Sequence, residues 1–151
     1  MSQEATSQNA GSNAAEGTRT LVIERVFPHA PEKLWRALTE SPLIAQWLMK
    51  NDFEPVVGRK FQFRSEPVPQ WDGVIDCEVL VVEPLKRLSY SWGTMGIGLV
   101  VLFTLTPAED GTHLRMEQSG FSPDQEANYK GAKYGWTKFF EGLERVAGGV
   151  E

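Results

Sequence analysis

The stretch SPDQEANYKGAKYGWTKFFEGLERV, residues 122–146, decides the fold of this chain. Ser122, Pro123 and Gln125 have the spacing of a capping box, with Ser at the N-cap and Pro at the first helical position. Apolar residues then recur at helical spacing on one face, namely Ala132, Trp136, Phe139, Phe140, Leu143 and Val146. Gly148-Gly149 predicts the end of the helix. A long helix with one wide apolar face needs a broad apolar surface to pack against.

The residues before this helix alternate in the manner of β-strands and supply that surface. Strands are predicted from Thr18 onwards and over 60–64, 73–82, 87–92, 99–106 and 112–119. Two short helices follow the first strand, with Pro31 in the first turn of one and Ser41-Pro42 as N-cap and N1 of the other. Short turns between the later strands predict an antiparallel meander. The expected fold class is α+β: a curved antiparallel β-sheet wrapped around the long C-terminal α-helix.

Length, charge and composition exclude several classes of protein. Its 151 residues suit one domain, predicted over 18–151, and 41% of them are hydrophobic. Met1–Gly17 is polar and small, so we expect a disordered tail there. A formal net charge of -5 without a basic run argues against nucleic acid as a partner. The longest apolar run, residues 99–103, is too short for membrane insertion, and a cytoplasmic protein is expected.

No catalytic or metal motif stands out, so the sequence predicts no catalytic residues, no metal and no cofactor. His29 lies in a strand-to-helix corner and His113 on the polar face of its strand, without a nucleophile at a recognisable spacing. Of the acidic residues Asp72, Asp76 and Glu78, only the last two share a face, and both are expected in solvent. Cys77 alternates in phase with apolar neighbours, which favours a buried, inert thiol over a reactive one.

The aromatic content leaves two interpretations open. Five Trp and eight Phe in a small domain fit either a plain core or a cavity partly lined by rings. On the long helix, Asn128 and Tyr129 project in the same arc as Trp136, so the apolar stripe begins polar. Either a ligand or water satisfies those groups, or this end of the helix overhangs into solvent. Gly131, Gly135 and Gly142 lie beside the stripe, where close backbone approach or a flexible helix would explain them.

Several segments in a fixed order carry a resemblance to a known family. They are Ile23–Phe27, Ala30–Leu38, Ile44–Leu48, Gly58–Phe61, Val82–Trp92, Val101–Pro107, Gly111–Leu114, Gly135-Trp136 and Phe139–Leu143. With them the chain resembles the START-like, or SRPBCC, superfamily with its helix-grip fold. Within it, the sequence is similar to bacterial single-domain homologues of the C-terminal domain of the activator of the 90-kDa heat-shock-protein ATPase.

The resemblance implies a hydrophobic cavity between the sheet and the C-terminal helix. Members of the superfamily bind lipids, sterols, flavonoids or polyketides, and some are cyclases. We therefore expect a non-enzymatic binder or carrier of a small hydrophobic or aromatic molecule. A cyclase, dehydratase or hydrolase using the same cavity is the alternative, and a chaperone-associated interaction module is a third hypothesis.

The predicted ligand-contacting residues come from the second short helix, the ring-bearing inner face of the sheet and the long helix. They are Trp47, Phe63, Tyr90, Trp92, Phe103, Gln118, Asn128, Tyr129 and Trp136. The glycine-rich segment 93–98 is expected to be a flexible loop that gates the cavity, because Met95 and Ile97 would give it an apolar underside.

Overall fold

The computed structural model describes residues 17–150, which form seven strands and three helices. In chain order they are β1 (Arg19–Phe27), α1 (Pro31–Thr39), α2 (Ser41–Trp47), β2 (Lys50–Asn51), β3 (Lys60–Arg64), β4 (Val74–Glu83), β5 (Arg87–Thr94), β6 (Ile97–Ala108), β7 (Gly111–Phe121) and α3 (Glu126–Gly148). Apart from Gly17, the predicted tail lies outside the described residues, as does Glu151. The domain limits, 18–151, therefore stay a prediction.

The strands form one sheet in the order β1-β7-β6-β5-β4-β3-β2, and every neighbouring pair is antiparallel. Strands β2 to β7 are a meander, and β1 returns to pair with β7 along its whole length. A register shift between Val79 and Val81 in β4 adds local twist, as β-bulges do. The predicted α+β helix-grip architecture is confirmed: the curved sheet packs around the long helix α3.

The core lies between the inner face of the sheet and α3, and it is densest along the C-terminal half of the helix. Phe140, Leu143 and Ala147 are fully buried there, and Phe140 packs on Phe27 with 5.6 Å between ring centroids. The short helices α1 and α2 both pack against α3 and close this end. They are joined to each other by the Trp47 indole nitrogen, which donates to the Ala37 carbonyl at 2.8 Å. The N-terminal half of α3 faces the same sheet but packs less completely.

Two ion pairs hold α3 against the edge strand β1. Arg19 contacts Glu126 in the first turn of the helix at 2.6 Å, and Arg25 contacts Glu144 near its end. The four side chains are 32–54% exposed. Each pair by itself therefore contributes little to the free energy of unfolding. Their value is geometric, because they bind both ends of the helix to the same strand.

The predicted starts of α2 and α3 need correction by one and three residues, respectively. Ser41 is already helical, and Glu40 is the N-cap of α2. The N-cap of α3 is Gln125, and Ser122 lies in the turn before it. The return bond of the capping box does form, because the Ser122 N–H donates to Gln125 Oε1 at 2.9 Å. The Ser122 hydroxyl, however, donates to the Asp124 carboxylate and so does not cap a helical N–H.

The segment 93–98 is not a loop, which overturns that part of the gating hypothesis. Gly93 pairs with Gly98 and Thr94 with Ile97, so β5 and β6 continue to a two-residue hairpin turn. Met95 and Gly96 form the turn with φ values of 53° and 75°. Positive φ at both central residues is the mark of a type I′ turn, whose twist matches the strands beside it.

Strand β6 also runs past the predicted stop at Pro107, which pairs with Thr112. Leu105 donates its N–H to Lys86, just beyond the last residue pair of β5 with β6. The nitrogen of Pro107 points to the same side, past the end of β5. A proline is tolerated there because no hydrogen bond is lost.

Candidate functional site

A cavity of about 380 Å³ lies between the N-terminal half of α3 and strands β4 to β7. The helix contributes a row of wall residues at helical spacing: Asn128, Gly131, Ala132, Gly135, Trp136 and Phe139. The sheet faces them with Ile75, Trp92, Leu99, Gln118 and Phe121. Leu48 and Met49, which follow α2, close a further side. The helix-grip arrangement therefore leaves its free space at the start of the helix.

Two glycines of α3 create part of that space. A methyl group added at Gly131 would meet no atom within 4 Å, and one at Gly135 would reach only the Phe139 ring at 4.0 Å. Gly142, two turns further on, is different: its added methyl group would lie 3.4 Å from Trp47 Cβ. The three glycines thus have two roles. Gly131 and Gly135 leave volume for the cavity, and Gly142 allows α2 to approach the helix closely.

The rim of the cavity combines the β5–β6 hairpin with the connection between β3 and β4. Trp71 lies in that connection, and its indole nitrogen donates to Thr94 Oγ1 at 2.8 Å. Thr94 in turn donates to the Val74 carbonyl at 2.9 Å, so hydrogen bonds connect the two parts of the rim. Met95, at the tip of the hairpin, is 56% exposed although it contributes to the wall.

The deepest polar group of the cavity is the amide of Gln118, which is only 1% exposed. Trp136 donates its indole N–H to Gln118 Oε1 at 2.9 Å. The indole is itself fixed by rings on three sides, with centroid distances of 5.6 Å to Trp92, 5.9 Å to Phe103 and 5.5 Å to Phe139. The orientation of the amide is therefore held by an aromatic cluster.

Four of the nine predicted ligand-contacting residues line this cavity: Trp92, Gln118, Asn128 and Trp136. The other five lie elsewhere. Trp47, Phe63, Tyr90 and Phe103 are buried in the adjoining core, where Tyr90 packs at 5.8 Å from Phe63 and 6.1 Å from Phe103.

Tyr129 faces the edge of the sheet instead of the cavity. Its ring packs on Phe121 at 5.3 Å and lies 3.8 Å beneath the Arg19 guanidinium. Asn128 contributes to the wall from an exposed position at the mouth.

Sequence reasoning missed much of the rim. The set predicted from the sequence does not include Trp71, which lies between Gln70 and Asp72 in the β3–β4 connection. A tryptophan in such a connection is itself a signal, since a large ring left in water loses the benefit of burial. Leu48, Met49 and Phe121 were also missed, and nothing in their local pattern separates a cavity wall from a core.

Among the described residues that line the cavity, none carries an ionisable side chain. Cys77 and Tyr90 lie in the core beside it, and burial raises the pKa of the Cys77 thiol far above its usual range. Burial likewise raises the pKa of the Tyr90 hydroxyl. Both groups are therefore neutral at physiological pH. Neither His29 nor His113 lines the cavity, and His113 contacts Glu24 at 2.9 Å on the outer face.

The described part of the chain offers no cluster of three or more His, Cys, Asp or Glu arranged to hold a metal ion. Of its three helices, none has the length and apolar character needed to cross a membrane.

The match to a family model decides the relationship of the chain. Residues 28–148 match the model described as Activator of Hsp90 ATPase homolog 1-like protein. The chain belongs to this family. The matched part begins after β1 and includes all of α1, α2, β2 to β7 and α3. Membership of the family and its START-like superfamily agrees with the resemblance found in the sequence. No curated protein matches the chain significantly.

Solved structures share the architecture of this Hsp90 ATPase activator-like chain. Protein MLL2253 from Mesorhizobium loti is 55% identical, with a TM-score of 0.82 over 88% of this chain and 99% of that one. BH1534 from Bacillus halodurans is 27% identical, with a TM-score of 0.74 over 85% and 96%. DynU16, a protein of the dynemicin biosynthetic locus, is 25% identical, with a TM-score of 0.69 over 89% of this chain and 48% of that one.

Proposed function

We propose that this protein binds a small, uncharged hydrophobic or aromatic molecule in the cavity between the sheet and α3. The observation that carries the proposal is the 380 Å³ space, which is walled by rings and has one buried amide at its base. Small-molecule sites typically enclose about 300–1,000 Å³ and combine apolar walls with a few polar groups. The cavity is at the lower end of that range, which favours a compact ligand.

The walls suit a flat apolar body. Trp92, Trp136 and Phe139 form one continuous ring surface, and Phe121 and Trp71 add rings on other sides. Burying apolar surface contributes roughly 25 cal/mol per Å². A charged ligand group inside would have no charged partner among the described wall residues, and burying an unpaired charge is very unfavourable. The chemistry of the wall therefore favours a neutral molecule.

The relatives are compatible with such a ligand. DynU16 is a protein of the dynemicin biosynthetic locus, and it shares this fold at 25% identity. We take this as support for a ligand of natural-product type, without carrying over a particular compound. An enzyme using the same cavity would need an acid or base at the reacting atoms. The described wall offers amide and hydroxyl groups instead, so binding is the function we propose.

A chaperone-associated role is the second candidate, favoured by the family model that residues 28–148 match. It requires a protein surface and not the cavity. A measurement of the ATPase rate of the cognate Hsp90, with and without this protein, tests it directly. An increase that survives blocking of the cavity would favour the chaperone role.

The test of ligand binding is an NMR titration of the full chain with flavone, a neutral aromatic probe. We expect shifts of backbone amides in the β5–β6 hairpin and in the first three turns of α3. Gly131→Leu places a large side chain at the cavity wall, where there is room for it, and should weaken or abolish these shifts. Ala127→Leu, on the exposed surface of the same helix, is the matched control and should leave them unchanged. Shifts confined to His113, Arg115 and Glu117 on the outer face would refute binding in the cavity.

A further inference from the structure

The hydrogen bond between Trp136 and Gln118 fixes which end of the amide is available to a ligand. An indole N–H is only a donor, so the Gln118 atom that it contacts must be the acceptor oxygen, Oε1. The opposite end of the amide is the NH₂ group. Within residues 17–150, the one hydrogen bond of the Gln118 side chain is the one that its Oε1 accepts from Trp136, so Nε2 has no partner there. A side chain that is 1% exposed thus retains an unused pair of donor hydrogens at the cavity wall.

Exchange of the two ends of the amide is opposed by the surrounding structure. A flipped amide would place its NH₂ against the indole N–H, bringing two donors together. The indole cannot easily turn away, since Trp92, Phe103 and Phe139 pack around it at 5.5–5.9 Å. Gln118 itself belongs to β7, which has a strand on each side, and it is paired with Leu21 of β1 and Val101 of β6. The donor is therefore preorganised.

We propose that the ligand is an aromatic carbonyl compound whose carbonyl oxygen accepts a hydrogen bond from Gln118 Nε2. This inference rests on the proposed function, and it assigns the polar group that the ligand carries. A carbonyl oxygen fits this donor as a neutral acceptor, because the described wall residues include no cation to bind a carboxylate or a phosphate. The aromatic body follows from the rings of Trp92, Trp136 and Phe139, which lie beside the amide.

The experiment compares two probes of nearly equal size, 1-tetralone and tetralin, which differ by one carbonyl group. Their dissociation constants are measured with the full chain by NMR titration. Tetralin is the more hydrophobic, so simple apolar burial favours tetralin. The proposal predicts the reverse order, with 1-tetralone binding about three- to ten-fold more tightly, as expected for one neutral hydrogen bond. The side-chain NH₂ signals of Gln118 should shift with 1-tetralone and remain nearly unchanged with tetralin.

Two variants identify the group responsible. Gln118→Met keeps the length of the side chain and removes the donor, so it should abolish the preference for 1-tetralone while affinity for tetralin stays within two-fold. Trp136→Phe keeps a ring and removes the N–H that orients the amide, so it should reduce the preference without eliminating it. Thermal unfolding shows whether each variant folds. If one does not, the wild-type probe comparison and the Gln118 NH₂ signals still test the proposal.

The outcomes separate this inference from the proposed function. Equal affinities for the two probes in the wild-type chain, with binding blocked by Gly131→Leu, would overturn the inference and leave cavity binding in place. Weakening of both probes to the same extent by Gln118→Met would also overturn it. Failure of both probes to bind the wild-type chain, or binding that Gly131→Leu does not affect, would contradict cavity binding and the carbonyl assignment together.

Discussion

Replacing Trp136 by alanine should destabilise the protein strongly, because this side chain combines three kinds of interaction. It is 2% exposed, it donates a hydrogen bond to Gln118 at 2.9 Å, and it packs against three rings. Truncation of a buried Trp or Phe to Ala typically costs about 3–5 kcal/mol. Loss of the indole also leaves Gln118 Oε1 without its donor, which moves the expected cost toward the upper part of that range.

Urea unfolding of Trp136→Ala, followed by far-UV circular dichroism, measures this cost. A loss of about 3–5 kcal/mol corresponds to a decrease in Tm of roughly 6–20 °C for a domain of this size. Trp136→Phe is the control, since it keeps a ring in place. We expect its free energy of unfolding to fall by about 1–3 kcal/mol, the cost of leaving Gln118 Oε1 without its donor. A loss below about 1 kcal/mol for Trp136→Ala would show that the ring is dispensable for folding and serves only as a cavity wall.

Four further predictions test other features. Gly131→Ala should stabilise the protein by about 0.8–1.0 kcal/mol in urea unfolding, because helix propensity improves and the new methyl group meets no atom within 4 Å. Gly142→Leu should instead destabilise it by about 1–3 kcal/mol, since the side chain would collide with Trp47; unchanged stability would contradict the close helix approach. Cys77 should react with a thiol reagent at pH 8 only after unfolding, because burial raises its pKa and hides the sulfur; fast reaction of the native chain would refute this. A chain beginning at Thr18 should melt within a few degrees of the full chain, and a larger decrease would show that the preceding residues stabilise the domain.

Much of the fold was predictable because its signals are local and repeated. Alternation in 60–64 and 112–119 identifies both the strands and their inner faces, and the burial of Phe61, Leu114, Met116 and Gln118 agrees with it. The apolar residues of α3, which recur with the 3.6-residue period of a helix, likewise identify the helix and its buried face. The exact ends of the helices and strands were harder to predict from the sequence. Ser122 satisfies every sequence criterion for an N-cap, yet its hydroxyl contacts Asp124, a competition between nearby polar groups that spacing does not reveal.

The candidate site was predictable only in part, since a wall and a core have the same local pattern. Trp92 and Phe63 alternate identically along their strands, but only Trp92 reaches the cavity. The difference depends on where α3 crosses the sheet and on the absence of side chains at Gly131 and Gly135. The hairpin at Met95-Gly96 was misjudged for a related reason: glycines favour both mobile loops and tight turns, and only the pairing of Thr94 with Ile97 distinguishes them.

The return of β1 to pair with β7 has a consequence for how the chain folds during synthesis. Strands β2 to β7 pair with strands that are their neighbours in sequence, but the partner of β1 is synthesised much later. At this junction Thr112 donates a hydrogen bond to His29, and the two residues are 83 positions apart. At about 5–20 residues per second, translation leaves β1 without its partner for roughly 4–17 s. Such non-local pairing is slow to form. The final step of folding should therefore be the docking of β1 and α3, which the ion pairs of Arg19 and Arg25 join to each other.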